Sequence, residues 1–319
     1  MNPTCRIFGC AAVAVLAACG AAHPNPGAAG SGTAPAGSGA AVSGSMPVSA
    51  TRFTPSADGV SIGWRRYGQG EPAVVLIHGW AADSTLWRAQ LPDLTARYSV
   101  VTLDLGGQGT SGANRRTWSL PSFAGDVATV VANLPDAQII LVGAGMGGPV
   151  ALEAAPLVGP RLRGIIGVET FRTIGQPPPL PSQVNQSLKP FRSDFPGAVR
   201  QFVIRTLFHP QADPSVVHEV ANLMARTAPE RALAQLAELN RLDYASILPA
   251  VRAPIVVIDS DLGGAPDAAR LSRVAPRLSV ITLRGDDSFP MLDDTRRFNA
   301  ALMQAIDSLM ARPDHSAHP

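Results

Sequence analysis

Cysteine is nearly absent from this chain. Cys5, Cys10 and Cys19 are the only three, and all fall in the N-terminal segment. The remainder therefore excludes an internal disulfide, a thiolate metal site and a cysteine nucleophile. Lysine is scarcer still, with Lys189 alone. Charged residues make up 16% and the formal net charge is +2, so no strong basic field marks a nucleic-acid partner. Arginine supplies nearly all the positive charge in a chain rich in Ala, Gly and Pro, which reads as coding bias rather than a binding surface. The six histidines, His23, His78, His209, His218, His315 and His318, show no metal-ligand spacing. No metal or other cofactor is expected. What is abundant is apolar surface: 46% of 319 residues, enough for one large domain or two small ones.

The N-terminus is distinct in composition. Met1 to Arg6 is short and weakly positive, and Ile7 to Ala18 is a continuous apolar and small-residue run. That run is too short to span a bilayer and suits the core of an export signal. It ends in Leu16-Ala17-Ala18-Cys19, which resembles a bacterial lipobox. The resemblance implies a signal over 1–18, cleavage before Cys19, and lipidation of Cys19 as a membrane anchor facing the cell envelope. An ordinary secretory signal with an incidental cysteine, or a buried helix, is the alternative. Residues 19–50 hold Ala, Gly, Ser and Pro with almost no charge, a composition that reads as a disordered tether.

From about Thr51 the pattern is that of a folded domain. Asp58-Gly59 signals a hairpin. Apolar runs follow at AVVLIH (73–78), SVVTLD (99–104), QIILVG (138–143), LRGIIGV (162–168), PIVVID (254–259) and SVITLR (279–284), separated by helical stretches. Such runs suit strands buried on both faces of a mostly parallel, doubly wound sheet. Residues 171–249 lack a strand of this kind and read as helices broken by proline, an insertion in the β/α alternation. The division expected is thus a core over 51–170 and 250–311, a helical cap over 171–249, and a flexible tail over 312–319.

The segments VVLIHGW, LDLGGQGTSG, LVGAGMGGPVALEA, VIDSDL and LRGDDSFPML occur in the order and spacing of α/β-hydrolases. The chain resembles small bacterial esterase-like and peptidase-like members of that superfamily. The resemblance implies an α/β-hydrolase fold and places a nucleophile at the centre of Gly143-Ala144-Gly145-Met146-Gly147, where this chain has Gly145. Glycine has no side chain from which an acyl-enzyme can form. The family base falls on Ser288, and a hydroxyl is no base near neutral pH. The family acid falls on Asp261, with Glu169 where some members keep an alternative acid; helix capping or bonding to loop amides is the plainer role for either. Gln108 stands where the family commonly has a non-catalytic His. His78-Gly79-Trp80 does match, and implies an oxyanion site formed by the backbone amides of Trp80 and Met146, with His78 and Gly79 as further ligand-binding candidates; stabilising the turn is the plainer role for His78.

These readings lead to three expectations. The first is a non-catalytic, envelope-facing lipoprotein that uses the cleft to bind a small or lipid-like molecule or a protein partner. The second is a hydrolase of ester or amide bonds with a non-standard catalytic set. The third is an interaction protein whose cleft is vestigial. No residue pattern identifies the partner.

Overall fold

The computed structural model describes residues 49–208, 210–261, 267–284 and 289–312. The expected signal, Cys19, nearly all of the tether, Ser288, His209 and all but the first residue of the tail lie outside the described residues.

Eight strands form one sheet in the order β1-β2-β4-β3-β5-β6-β7-β8. The hairpin is β1 (Arg52–Pro55) and β2 (Ser61–Tyr67). Its turn is closed by the Gly59 amide on the Ser56 carbonyl at 2.8 Å, with Gly59 at φ 84°. The next strands are β3 (Ala73–Ile77), β4 (Ser99–Leu103), β5 (Ile139–Ala144), β6 (Leu162–Val168), β7 (Ile255–Ser260) and β8 (Leu278–Leu283). β1–β2 and β2–β4 pair antiparallel, and all other neighbours pair parallel. Each apolar run in the sequence therefore became a strand.

Alternation along β3 shows why the run is unbroken. Val75 and Ile77 join one buried cluster, and Val74 and Leu76 join the other. On one side lie α2 (Leu120–Ala132) and α3 (Gly147–Val158), with Phe123, Val127 and Val150 buried. On the other lies α11 (Thr295–Met310), which lays Phe298, Leu302, Ile306 and Leu309 at helical spacing against Trp87 and the sheet. Each such side chain, fully buried, contributes about 1.5–3 kcal/mol. The Ser119 hydroxyl caps α2 on the Ser122 amide.

Between β6 and β7, the longer helices of the inserted segment among the described residues are α4 (Pro181–Ser193), α5 (Phe195–Phe202), α6 (Pro214–Ala225) and α7 (Pro229–Asn240). Each carries proline at its start, where the missing amide costs no helical hydrogen bond. The prolines that break this stretch in sequence thus set helix boundaries. Several hydrogen bonds tie the segment to the core. Trp80 donates its indole N–H to the Ala232 carbonyl at 2.9 Å, Thr227 bonds the Ala81 carbonyl at 3.1 Å, and Gln108 donates to Gln235 at 3.3 Å. Trp80 also meets Phe191, Phe195 and Phe202 edge-on, at centroid distances of 5.9, 6.2 and 6.2 Å. No helix among the described residues is long and apolar enough to cross a membrane.

Candidate active site

Gly145 and Met146 join the C-terminal end of β5 to α3. The turn is tight because glycines flank it. A Cβ on Gly143 would lie 2.2 Å from the Gly147 carbonyl oxygen, and one on Gly147 would lie 2.5 Å from that of Ile77. Gly145 sits at φ +50°, its amide bonded to the Val168 carbonyl at 2.9 Å. Among the described residues, a Cβ placed there meets no atom within 4 Å beyond its chain neighbours. The position that would present a nucleophile is strained for any other residue but sterically open, and it faces a cavity.

That cavity has a volume of about 230 Å³. Its walls are mostly apolar, and Phe191, Phe202, Met224 and Leu236 of the inserted helices are among them. Gly79, Trp80, Gly145 and Met146 form the wall nearest the elbow. Met146 precedes the first turn of α3, where amides have no intrahelical carbonyl to bond and the helix dipole is positive. An anion or a carbonyl oxygen is therefore favoured there. The Trp80 side chain turns away into the inserted helices, so it leaves the space beside Gly145 open.

His78 does not reach this cavity, which corrects its inclusion among the ligand-binding candidates. It is fully buried; its Nε2 accepts from the Leu105 amide at 3.0 Å, so Nδ1 carries the proton and donates to the Gly79 carbonyl at 2.9 Å. Burial lowers its pKa, partly opposed by Asp104, and the ring stays neutral. It fixes the loop that places Trp80.

The two acid candidates separate in the structure. Asp261 follows β7, bonds the Leu283 carbonyl through its amide at 3.2 Å, and is not part of the cavity wall. Glu169 follows β6 and lines the cavity. Its carboxylate accepts from the Ser260 amide and from Arg172 at 3.0 Å. Burial raises its pKa, against the pull of Arg172 and Ser260. Beneath it lies Asp259, fully buried at the end of β7, accepting from the Thr170 amide at 3.2 Å and 3.5 Å from Arg172 Nε. Burial, reinforced by the Glu169 charge, pushes Asp259 up to about 8. Two carboxyl groups thus share one guanidinium, and burial favours the neutral form of each. Tyr244 closes the same corner, held neutral by burial.

The backbone is strained around this wall. Ala81, Glu169 and Phe171 adopt φ +54°, +49° and +68° without being glycine. Such residues cost of order 1–3 kcal/mol each and persist only where surrounding contacts hold them. Sequence reasoning named Glu169 but missed Arg172 and Asp259. An ionisable residue inside the apolar PIVVID run was the available signal for Asp259. No group of three or more His, Cys, Asp or Glu among the described residues has metal-site geometry.

A sheet with this order, a strand-to-helix elbow and helices inserted over a cavity define a hydrolase-type architecture. A sequence model of the alpha/beta hydrolase fold family matches residues 72–245, and the chain belongs to that family. Among its curated relatives is a pimeloyl-[acyl-carrier protein] methyl ester esterase of Aeromonas hydrophila, 39% identical over 110 residues, a match covering 34% of this chain and 41% of that protein. A protein of the same name from Xanthomonas oryzae pv. oryzae is 26% identical over 249 residues, covering 75% of this chain and 96% of the relative. Of solved structures, an esterase from Thermogutta terrifontis superposes with a TM-score of 0.71 at 22% identity, over 82% of this chain and 99% of that one. The structural likeness speaks for the fold alone. The two curated relatives named above are esterases, which favours the hydrolase expectation over the non-catalytic one.

Proposed function

We propose that the chain is a carboxylic-ester hydrolase that works without an acyl-enzyme. The observation that carries this reading is the elbow itself: Gly145 leaves the nucleophile's place empty, yet that place opens onto a retained cavity instead of being filled by a neighbour. An ester entering the cavity would set its carbonyl oxygen near the Trp80 and Met146 amides and its acyl chain against Phe202, Met224 and Leu236. The esterase relatives support ester chemistry. The missing hydroxyl excludes the serine route at this position. Incubation with p-nitrophenyl acetate and butyrate, followed in the pre-steady state, tests this. The expected result is slow turnover without a burst and without labelling by a fluorophosphonate probe. A burst with stoichiometric labelling refutes it.

Gly145 also favours a second reading, binding without turnover. Butyrate or a non-hydrolysable ester that raises the melting temperature of a protein with no esterase activity would establish it. From Leu16-Ala17-Ala18-Cys19 we further propose export and lipid anchoring at Cys19, which places the cleft on the envelope side of a bacterial membrane.

A further inference from the structure

We propose that Glu169 is the general base of this site and that it activates a water molecule held in the space left open by Gly145. The proposal rests on the hydrolase reading above and assigns its catalytic residue.

Three independent observations converge. The first is placement. Gly145 bonds through its amide to Val168, the residue directly before Glu169, and both Gly145 and Glu169 line the cavity. The second is capacity. Beside Gly145, apart from its chain neighbours, no atom of the described residues lies within 4 Å of the point where a side chain would begin, which is space for a water facing the cavity. A carboxylate has about four lone-pair sites, and Glu169 is seen to use two of them, on Ser260 and Arg172. The third is enforced geometry. Glu169 is held at φ +49° by its bonds to Ser260 and Arg172, an arrangement that a solvated loop carboxylate does not need. The groups packed around it are Arg172, Asp259, Tyr244 and Ser260. Burial makes its carboxylate a stronger base than an exposed one.

The step balances without any further reagent. The water oxygen attacks the ester carbonyl carbon while one of its protons passes to the Glu169 carboxylate. The carbonyl electron pair moves to oxygen, which the Trp80 and Met146 amides stabilise. Collapse of the tetrahedral adduct expels the alkoxide, which takes the proton from Glu169. Carboxylic acid and alcohol leave, and the carboxylate is restored. This differs from an acid that orients a histidine, because Glu169 acts on water directly.

The test uses the full chain with p-nitrophenyl butyrate. Glu169→Gln is expected to lower kcat at least about 100-fold, the ordinary contribution of a general base, while butyrate still raises the melting temperature. Glu169→Asp should recover part of the rate. Wild-type kcat/KM should rise with pH along a limb that the Gln variant lacks. Because the Gln change also removes an ion pair, Gly145→Ala supplies a second test. Its methyl group enters the water's space without touching Glu169, and should cost at least 10-fold in kcat in a folded protein. If wild type turns over and both variants match it, the assignment of Glu169 fails while the hydrolase reading stands. If wild type shows no turnover of any ester, the reading and this assignment fall together.

Discussion

Replacing Gly145 by serine restores the residue type of a serine hydrolase at the elbow, and its stability cost can be worked out from the backbone. At φ +50° an L-residue costs roughly 1–2 kcal/mol relative to its ordinary conformations. Losing a glycine from the unfolded chain returns about 0.4–1 kcal/mol of that. Sterics among the described residues add nothing, because a Cβ at this position meets none of their atoms within 4 Å beyond its chain neighbours. Gly145→Ser should therefore destabilise the protein by about 1 kcal/mol, a drop of roughly 2–4 °C in melting temperature for a domain of this size. Gly143→Ser is the contrast. Its Cβ would sit 2.2 Å from the Gly147 carbonyl oxygen, a backbone atom that cannot move alone. That variant should lose about 3 kcal/mol or more, if it folds at all. Thermal melts and urea titrations of both variants beside the wild type decide the matter. Equal or higher stability for Gly145→Ser, or equal losses for the two, would refute the strain argument and the placement of residue 145 at the tip of the turn.

Arg115→Ala should cost about 3–5 kcal/mol, because it leaves Asp126, fully buried, without its guanidinium; a loss below about 1 kcal/mol in urea titration would show that the pair is not held dry. Asp259 has its folded pKa raised to about 8, so the folded state binds more protons than the unfolded one between about pH 4 and 8. Its contribution to stability is present in full below that window and is lost as pH rises through it. Asp259→Asn should accordingly gain in melting temperature over wild type as pH goes from 5 to 8, and a pH-independent difference would contradict the burial argument. The mature chain should begin with a lipidated Cys19, and Cys19→Ala should abolish the modification; intact-mass analysis showing an unmodified N-terminus elsewhere would end that proposal.

The sequence reveals the sheet well because burial on both faces writes a simple signal. PIVVID and QIILVG have no polar alternation to confuse them with half-buried strands, and each became a strand. The elbow was equally plain, since Gly143 and Gly147 are demanded by backbone contacts that no other residue satisfies. Side-chain partnership is different. Arg172 lies three residues from Glu169 but 87 from Asp259, and only the parallel pairing of β6 with β7 brings the two carboxyl groups to one guanidinium. His78 shows the same limit. Its motif places it beside the oxyanion loop, and nothing in the motif says that Leu105 takes its second nitrogen.

The state of the cavity bears most directly on whether the lost serine means a lost function. A cleft without use has no reason to keep costly features, since ordinary substitutions would relax them. Three non-glycine residues at positive φ cost roughly 3–9 kcal/mol together, comparable to the whole net stability of a typical domain. Two of the three, Glu169 and Phe171, line the cavity, and the third, Ala81, follows Trp80 in the oxyanion loop. A buried carboxyl pair lies beside the same wall and weakens the fold as pH rises. Neither feature improves packing. Both make sense under the proposed reading, in which the site still positions a carboxylate and two amides around a bound carbonyl group and the absence of a hydroxyl at Gly145 changes the route of the chemistry without retiring the site.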